Sequence, residues 1–230
     1  PMILPPFVGA IGIKQIFGQY GALNSLLQVV GWLEPGATID WFARHQFWGI
    51  AVVQALSLYP IIYLNAVAAL ANVDPAMEEA AQNLGCTGFR RFRRITLPLI
   101  RPGLFAGGTI VFIWAFTELG TPLVFDYDRV TSVQIYHGLK DIGMNPLPFA
   151  LVAVMLVASV GLYALSKLLF GRTSHAMMAK ATSSGGARVL PGGQAWLCTA
   201  LYAGVTFVAV LPHLGVILVA FAEDWYGSVF

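Results

Sequence analysis

The chain has 230 residues, of which 57% are hydrophobic and 10% charged, and its mean hydropathy is +0.72; an ordinary globular domain has roughly 45–50% apolar and about 25% charged residues. That composition excludes a water-soluble globular domain and puts the chain in a bilayer. The net charge of +2 is small but lopsided: Arg90, Arg91, Arg93, Arg94 and Arg101 crowd one loop, and Lys167, Arg172, Lys180 and Arg188 another.

In chain order, Pro1 to about Phe17 is apolar but short and proline-rich, the remainder of a longer helix or a broken outer half. Residues 18–46 hold Gly21, Gly31, Glu34, Pro35, Gly36 and Asp40, with apolar Leu23, Leu26, Leu27 and Val30 among them, which predicts an external loop with an interfacial helix. A span follows from about Phe47 to Val73. Its polar Gln54, Ser57 and Asn65 predict a protein-facing side. In all, the sequence offers four or five stretches near the 20 or so apolar residues that a crossing helix needs.

Residues 74–98 predict two short helices with a tight bend. Asp74 suits an N-cap, Pro75 a first turn, and Glu78 and Glu79 the positive end of the helix dipole. Gly85 supplies a left-handed turn to end the first helix. Thr87 is expected to cap a second, carrying Phe89, Phe92 and Ile95 at three-residue spacing, and Pro98 to stop it.

A third span is expected over about Leu99 to Val124, where Gly103, Gly107 and Gly108 let helix backbones approach closely. Glu118 falls near its outer end. An ionisable group there either lines a translocation path, with Thr117 and Thr121, or is a carboxylate at the interface. Residues 125–146 are acidic and read as external. Asp126, Tyr127, Asp128, Tyr136 and His137 bear donors that ferric iron accepts, but no ligand spacing is diagnostic, and contact with an external binding protein is the better reading. A fourth span is predicted from about Pro148 to Phe170, a small and polar linker over 171–194, and a fifth span from about Ala195 to Ala222. The last ends at the acidic, aromatic Glu223-Asp224-Trp225-Tyr226. His213 in the fifth span reads as a packing residue.

Both basic loops fall on one side of this arrangement and most acids on the other, which predicts that 74–98 and 171–194 are cytoplasmic. The arginine run lies between hydrophobic spans, which disfavours a nucleic-acid patch. Cys86 and Cys198 imply no disulfide framework. No Gly-x4-Gly-Lys-Ser/Thr loop is present, and His45, His137, His175 and His213 are dispersed. No catalytic constellation, cofactor or metal site is expected, so any ATPase is a separate subunit.

Glu79-Ala80-Ala81, three residues, Gly85, nine residues, then Ile95-Thr96-Leu97-Pro98 resembles the EAA loop of the permease subunits of binding-protein-dependent ABC importers, spacing included. The resemblance implies an all-α, polytopic inner-membrane helical bundle like the type I importer permeases. It implies a periplasmic or lipid-anchored binding protein outside and a cytoplasmic ABC ATPase dimer inside. The ATPase would dock on Glu79, Ala80, Ala81, Gly85, Phe89, Phe92, Ile95, Leu97 and Pro98. Leu4 to Ala10, Phe116 to Phe125 and Pro212-His213-Leu214-Gly215 are similar to the ferric-iron branch, in which two permease halves are fused.

On that resemblance residues 1–170 are the later part of a first half, 171–194 a cytoplasmic linker, and 195–230 the first membrane helix of a second. The bundle is then incomplete at both ends, its other half lying in the same longer chain or in a partner subunit. Ferric iron is the expected substrate, with thiamine, phosphonate or polyamine import as the alternative. A secondary transporter or channel would carry several membrane-embedded charges or inverted repeats, and Glu118 alone qualifies.

Overall fold

A computed structural model describes residues 4–42, 45–139, 145–170 and 190–221, and every regular element among them is helical. Four helices are long and apolar enough to cross a membrane: Gln46–Ala71, Gly88–Thr117, Leu147–Leu168 and Gly192–Phe221. The first expected segment is helix α1, Pro6–Phe17, whose 12 residues rise about 18 Å. That is too short for a hydrocarbon core of roughly 30 Å. Most of the expected linker, Arg44, Lys140, Asp141 and the acidic, aromatic 223–226 stretch lie outside the described residues.

The described chain forms two compact units. The first comprises the described residues within 1–58, 117–151 and 192–230. Its core is Ala10 and Ile13 of α1, Ile50 and Val53 of α3 (Gln46–Ala71), and Phe125. Phe42 meets Phe125 edge-on at 5.0 Å, a favoured aromatic geometry, and Gly49 makes room, since a Cβ there would lie 2.8 Å from the Phe42 ring. Helix α1 also packs along α10, Gly192–Phe221. A Cβ on Gly12 would strike the Pro212 carbonyl, and one on Gly215 the Gly12 backbone. The two backbones are therefore in contact, and only small residues permit this.

The predicted interfacial helix is α2, Ala22–Val29. Asn24, 2% exposed, anchors the loop around it by donating from Nδ2 to the carbonyls of Gln19 and Ile39, each at 2.8 Å. The third span ends earlier than expected. Helix α6 runs Leu97–Thr117, breaks at 118–119, and is followed by the short α7, Gly120–Val124. The expected external segment contains α8, Thr131–Gly138, whose last residue sits against Pro148 at the start of α9, Leu147–Phe170.

The second unit comprises the described residues within 59–116 and 152–191. Within it α6 lies against the second part of α3: Gly103 faces Ala69 and the Asn65 carbonyl, and Gly107 faces Ile62 and Asn65. Gly108 does not share in this crossing, because an added Cβ there meets nothing within 4 Å. Asn65 sits at the contact with its Nδ2 donated to Ile61 O at 2.8 Å, which satisfies the amide donor inside its own helix. Expected as one protein-facing side, Gln54, Ser57 and Asn65 are all partly buried.

Candidate functional site

Helix α4, Pro75–Asn83, begins as its sequence dictates. Asp74 Oδ1 accepts from Ala76 N at 2.9 Å, Pro75 is the first helical residue, and Glu78 lies in the first turn. Its end is a full Schellman motif: Gly85 N donates to Gln82 O at 2.8 Å and Cys86 N to Ala81 O at 2.9 Å. Gly85 holds the left-handed φ of +76° that this motif needs.

The second limb differs from expectation in two respects. Thr87 occupies the N-cap position of α5, Gly88–Arg91, with extended backbone, but its side chain makes no capping bond. Pro98 does not stop the helix. Residues Phe92–Thr96 form a π turn that runs straight into α6, giving one continuous helix from Gly88 to Thr117. Proline has no N–H to give to the preceding turn and crowds the carbonyl four residues back. The widened π turn just before Pro98, in which Leu97 N bonds to Phe92 O, gives the ring room.

The two limbs are joined by a side-chain bond. Thr96, 7% exposed, donates from Oγ1 to Glu78 Oε1 at 2.9 Å. Arg91 Nη2 stands 4.0 Å from Glu78 Oε2, so a single carboxylate spans both limbs. Ala81 is buried at the same join. Of the nine residues expected to dock an ATPase, Ala81 is therefore inside the hairpin, while Ile95, Leu97 and Pro98 are half-buried. Glu79, Ala80, Gly85, Phe89 and Phe92 are exposed. The Phe89 and Phe92 rings are 6.2 Å apart. With Met77 and Leu84, Phe89 and Phe92 leave large apolar surface uncovered, Leu84 at 87% and Phe89 at 75% exposure.

Glu118 stands at the break after α6 and is occupied there. Its Oε1 accepts from Gly120 N at 3.1 Å and Thr121 N at 3.2 Å, so it caps α7, and its carbonyl accepts from Ser132 Oγ at 2.8 Å. Thr121 is fully buried, with no hydrogen-bond partner for Oγ1 among the described residues. Just beyond α7, Lys14 Nζ bonds to Asp126 Oδ2 at 2.7 Å and to Val124 O at 2.8 Å. Among the described residues, no three of His, Cys, Asp or Glu come together as metal ligands.

Residues 1–175 match the family model of the binding-protein-dependent transport system inner membrane component. The chain belongs to that family. This permease is 28% identical over 199 residues to a ferric transport system permease protein of Actinobacillus pleuropneumoniae, covering 84% of its own length and 28% of that protein's. It is 28% identical over 165 residues to a sulfate transport system permease protein of Salmonella typhimurium, covering 70% of this chain and 56% of that one. A molybdenum transport system permease protein of Haemophilus influenzae is 30% identical over 125 residues, 54% of this chain and 51% of the relative. The permease thus spans under a third of the ferric relative and about half of the other two. No solved structure matches it.

Sequence reasoning gave Glu78 a role only in the helix dipole and passed over Lys14. Both partners are far along the chain, 18 residues for Glu78–Thr96 and 112 for Lys14–Asp126, so no local spacing announces them.

Proposed function

We propose that the hairpin of residues 74–98 is where this inner-membrane permease receives a cytoplasmic ABC ATPase, and that the chain forms part of an importer's path. The exposed apolar face of Met77, Leu84, Phe89 and Phe92 carries the reading. Apolar surface on a charged, water-facing hairpin is costly unless a partner covers it, and the Schellman turn and the Glu78–Thr96 bond hold that face rigid. Leu84→Glu and Phe89→Glu are expected to abolish co-purification of the ATPase while leaving the permease inserted. Undiminished co-purification with both changes would reject the docking role.

For the substrate we favour ferric iron. The ferric relative aligns over 84% of this chain, against 70% and 54% for the sulfate and molybdenum relatives. A tetrahedral oxyanion is the second reading, favoured by those two. A binding protein co-purified with the transporter and analysed for bound metal and oxyanion decides between them. The path is proposed to pass the α6–α7 break beside Glu118, Thr117 and Thr121, where Glu118 holds the first turn of α7 through its bonds to Gly120 N and Thr121 N. Residues 1–170 and 195–230 are proposed to belong to two permease halves, an arrangement to be read from the full-length gene.

A further inference from the structure

The five arginines near the hairpin do not act alike. Arg91 turns toward Glu78, whereas Arg90, Arg93, Arg94 and Arg101 are exposed and have no ion-pair partner among the described residues. Arg90 with Arg94, and Arg93 with Arg101, recur at helical spacing on the side opposite the buried Thr96, Ile100 and Gly107. They therefore form a stripe on the face that α3 does not cover.

The stripe has an apolar continuation. One turn beyond Arg101, a groove of about 280 Å³ opens between α6 and α9, lined by Phe105, Gly108, Phe112, Leu162, Tyr163 and Ser166. Lys167, exposed and next to Ser166, adds a cation from α9. The continuous helix Gly88–Thr117 has 30 residues and measures about 45 Å, some 15 Å more than a hydrocarbon core. If residues up to Thr117 fill the core, Arg93 and Arg94 stand at headgroup depth. Arg101, about one turn inside, reaches the same level by extending its side chain outward.

We propose that this is a binding site for an anionic phospholipid, with the phosphate held by Arg93, Arg94 and Arg101 and an acyl chain lying in the α6–α9 groove. Guanidinium groups suit phosphate through paired N–H donors, and clustered cations at a membrane helix end attract anionic lipid at roughly fivefold in affinity per charge. The site depends on the membrane placement of α6 but not on ATPase docking, so the two fail separately.

The intact transporter in mild detergent, exposed to equal amounts of phosphatidylglycerol and phosphatidylcholine and analysed by mass spectrometry, tests this. The wild type should retain the anionic lipid at least about fivefold over the zwitterionic one. The combined change Arg93→Gln, Arg94→Gln, Arg101→Gln should remove that preference. Gly108→Leu, whose Cβ meets nothing within 4 Å, fills part of the groove and should lower retained phosphatidylglycerol severalfold with all arginines present. Glycerol phosphate, a headgroup without chains, should not displace the lipid. Wild-type enrichment in either variant, or displacement by glycerol phosphate, would overturn the site. Loss of ATPase co-purification in the arginine variant with enrichment intact would make the stripe a protein contact instead.

Discussion

At Gly85 a single backbone angle decides how the hairpin turns. With φ at +76° and nothing within 4 Å of an added Cβ, the cost of a side chain there is conformational alone, about 1 kcal/mol for alanine. Gly85→Ala should lower transport several-fold with membrane insertion unchanged, measured as uptake in vesicles reconstituted with the ATPase and binding protein. Wild-type uptake would mean that the turn's angle is not critical. Asp126 uses the same left-handed region, φ 54°, in an equivalent motif ending α7, where Tyr127 N bonds to Pro122 O at 3.0 Å. Gly85 was legible in the sequence because a glycine at a helix end between polar stretches has that use. Asp126 was not, because aspartate is common in external loops and nothing local marks its backbone.

Among the elements, the π turn and the Glu78–Thr96 bond make α4 and the base of α6 one mechanical piece. Thr96→Val keeps the shape but leaves the Glu78 carboxylate without its donor, at a cost on the order of 1 kcal/mol. If the bond transmits movement from α4 to α6, this variant should still bind the ATPase but transport less substrate per ATP hydrolysed, and Thr96→Ser should restore the ratio. An unchanged ratio in Thr96→Val would reduce the bond to packing. The sequence shows α4 through its Asp74 cap and α6 through its apolar run. It misreads Pro98 as a stop, although this chain carries Pro60, Pro102 and Pro212 inside continuous helices as well, where the apolar span, not the proline, sets the helix length. It also has no means of seeing a pair of side chains that meets only once the hairpin has folded.

For the whole molecule, composition and charge asymmetry carry most of what can be read in advance. Apolar runs of the right length become α3, α6, α9 and α10 because a bilayer leaves backbone groups no partners outside the helix. The long apolar side chains exposed along α9 and α10, such as Leu156, Val157, Leu201 and Phe207, are what a lipid-facing surface requires. The first apolar segment, rich in proline and glycine and expected to be short, yields the 12 helical residues of α1. The orientation expected from the arginines around α5 is directly testable. In a background carrying Cys86→Ser and Cys198→Ser, Asp128→Cys should react with an impermeant thiol reagent in intact cells. Leu84→Cys, although the side chain is 87% exposed, should stay unlabelled until the membranes are opened and stripped of peripheral ATPase. The reverse pattern would turn the permease over, put the hairpin outside, and remove it from the reach of any cytoplasmic ATPase.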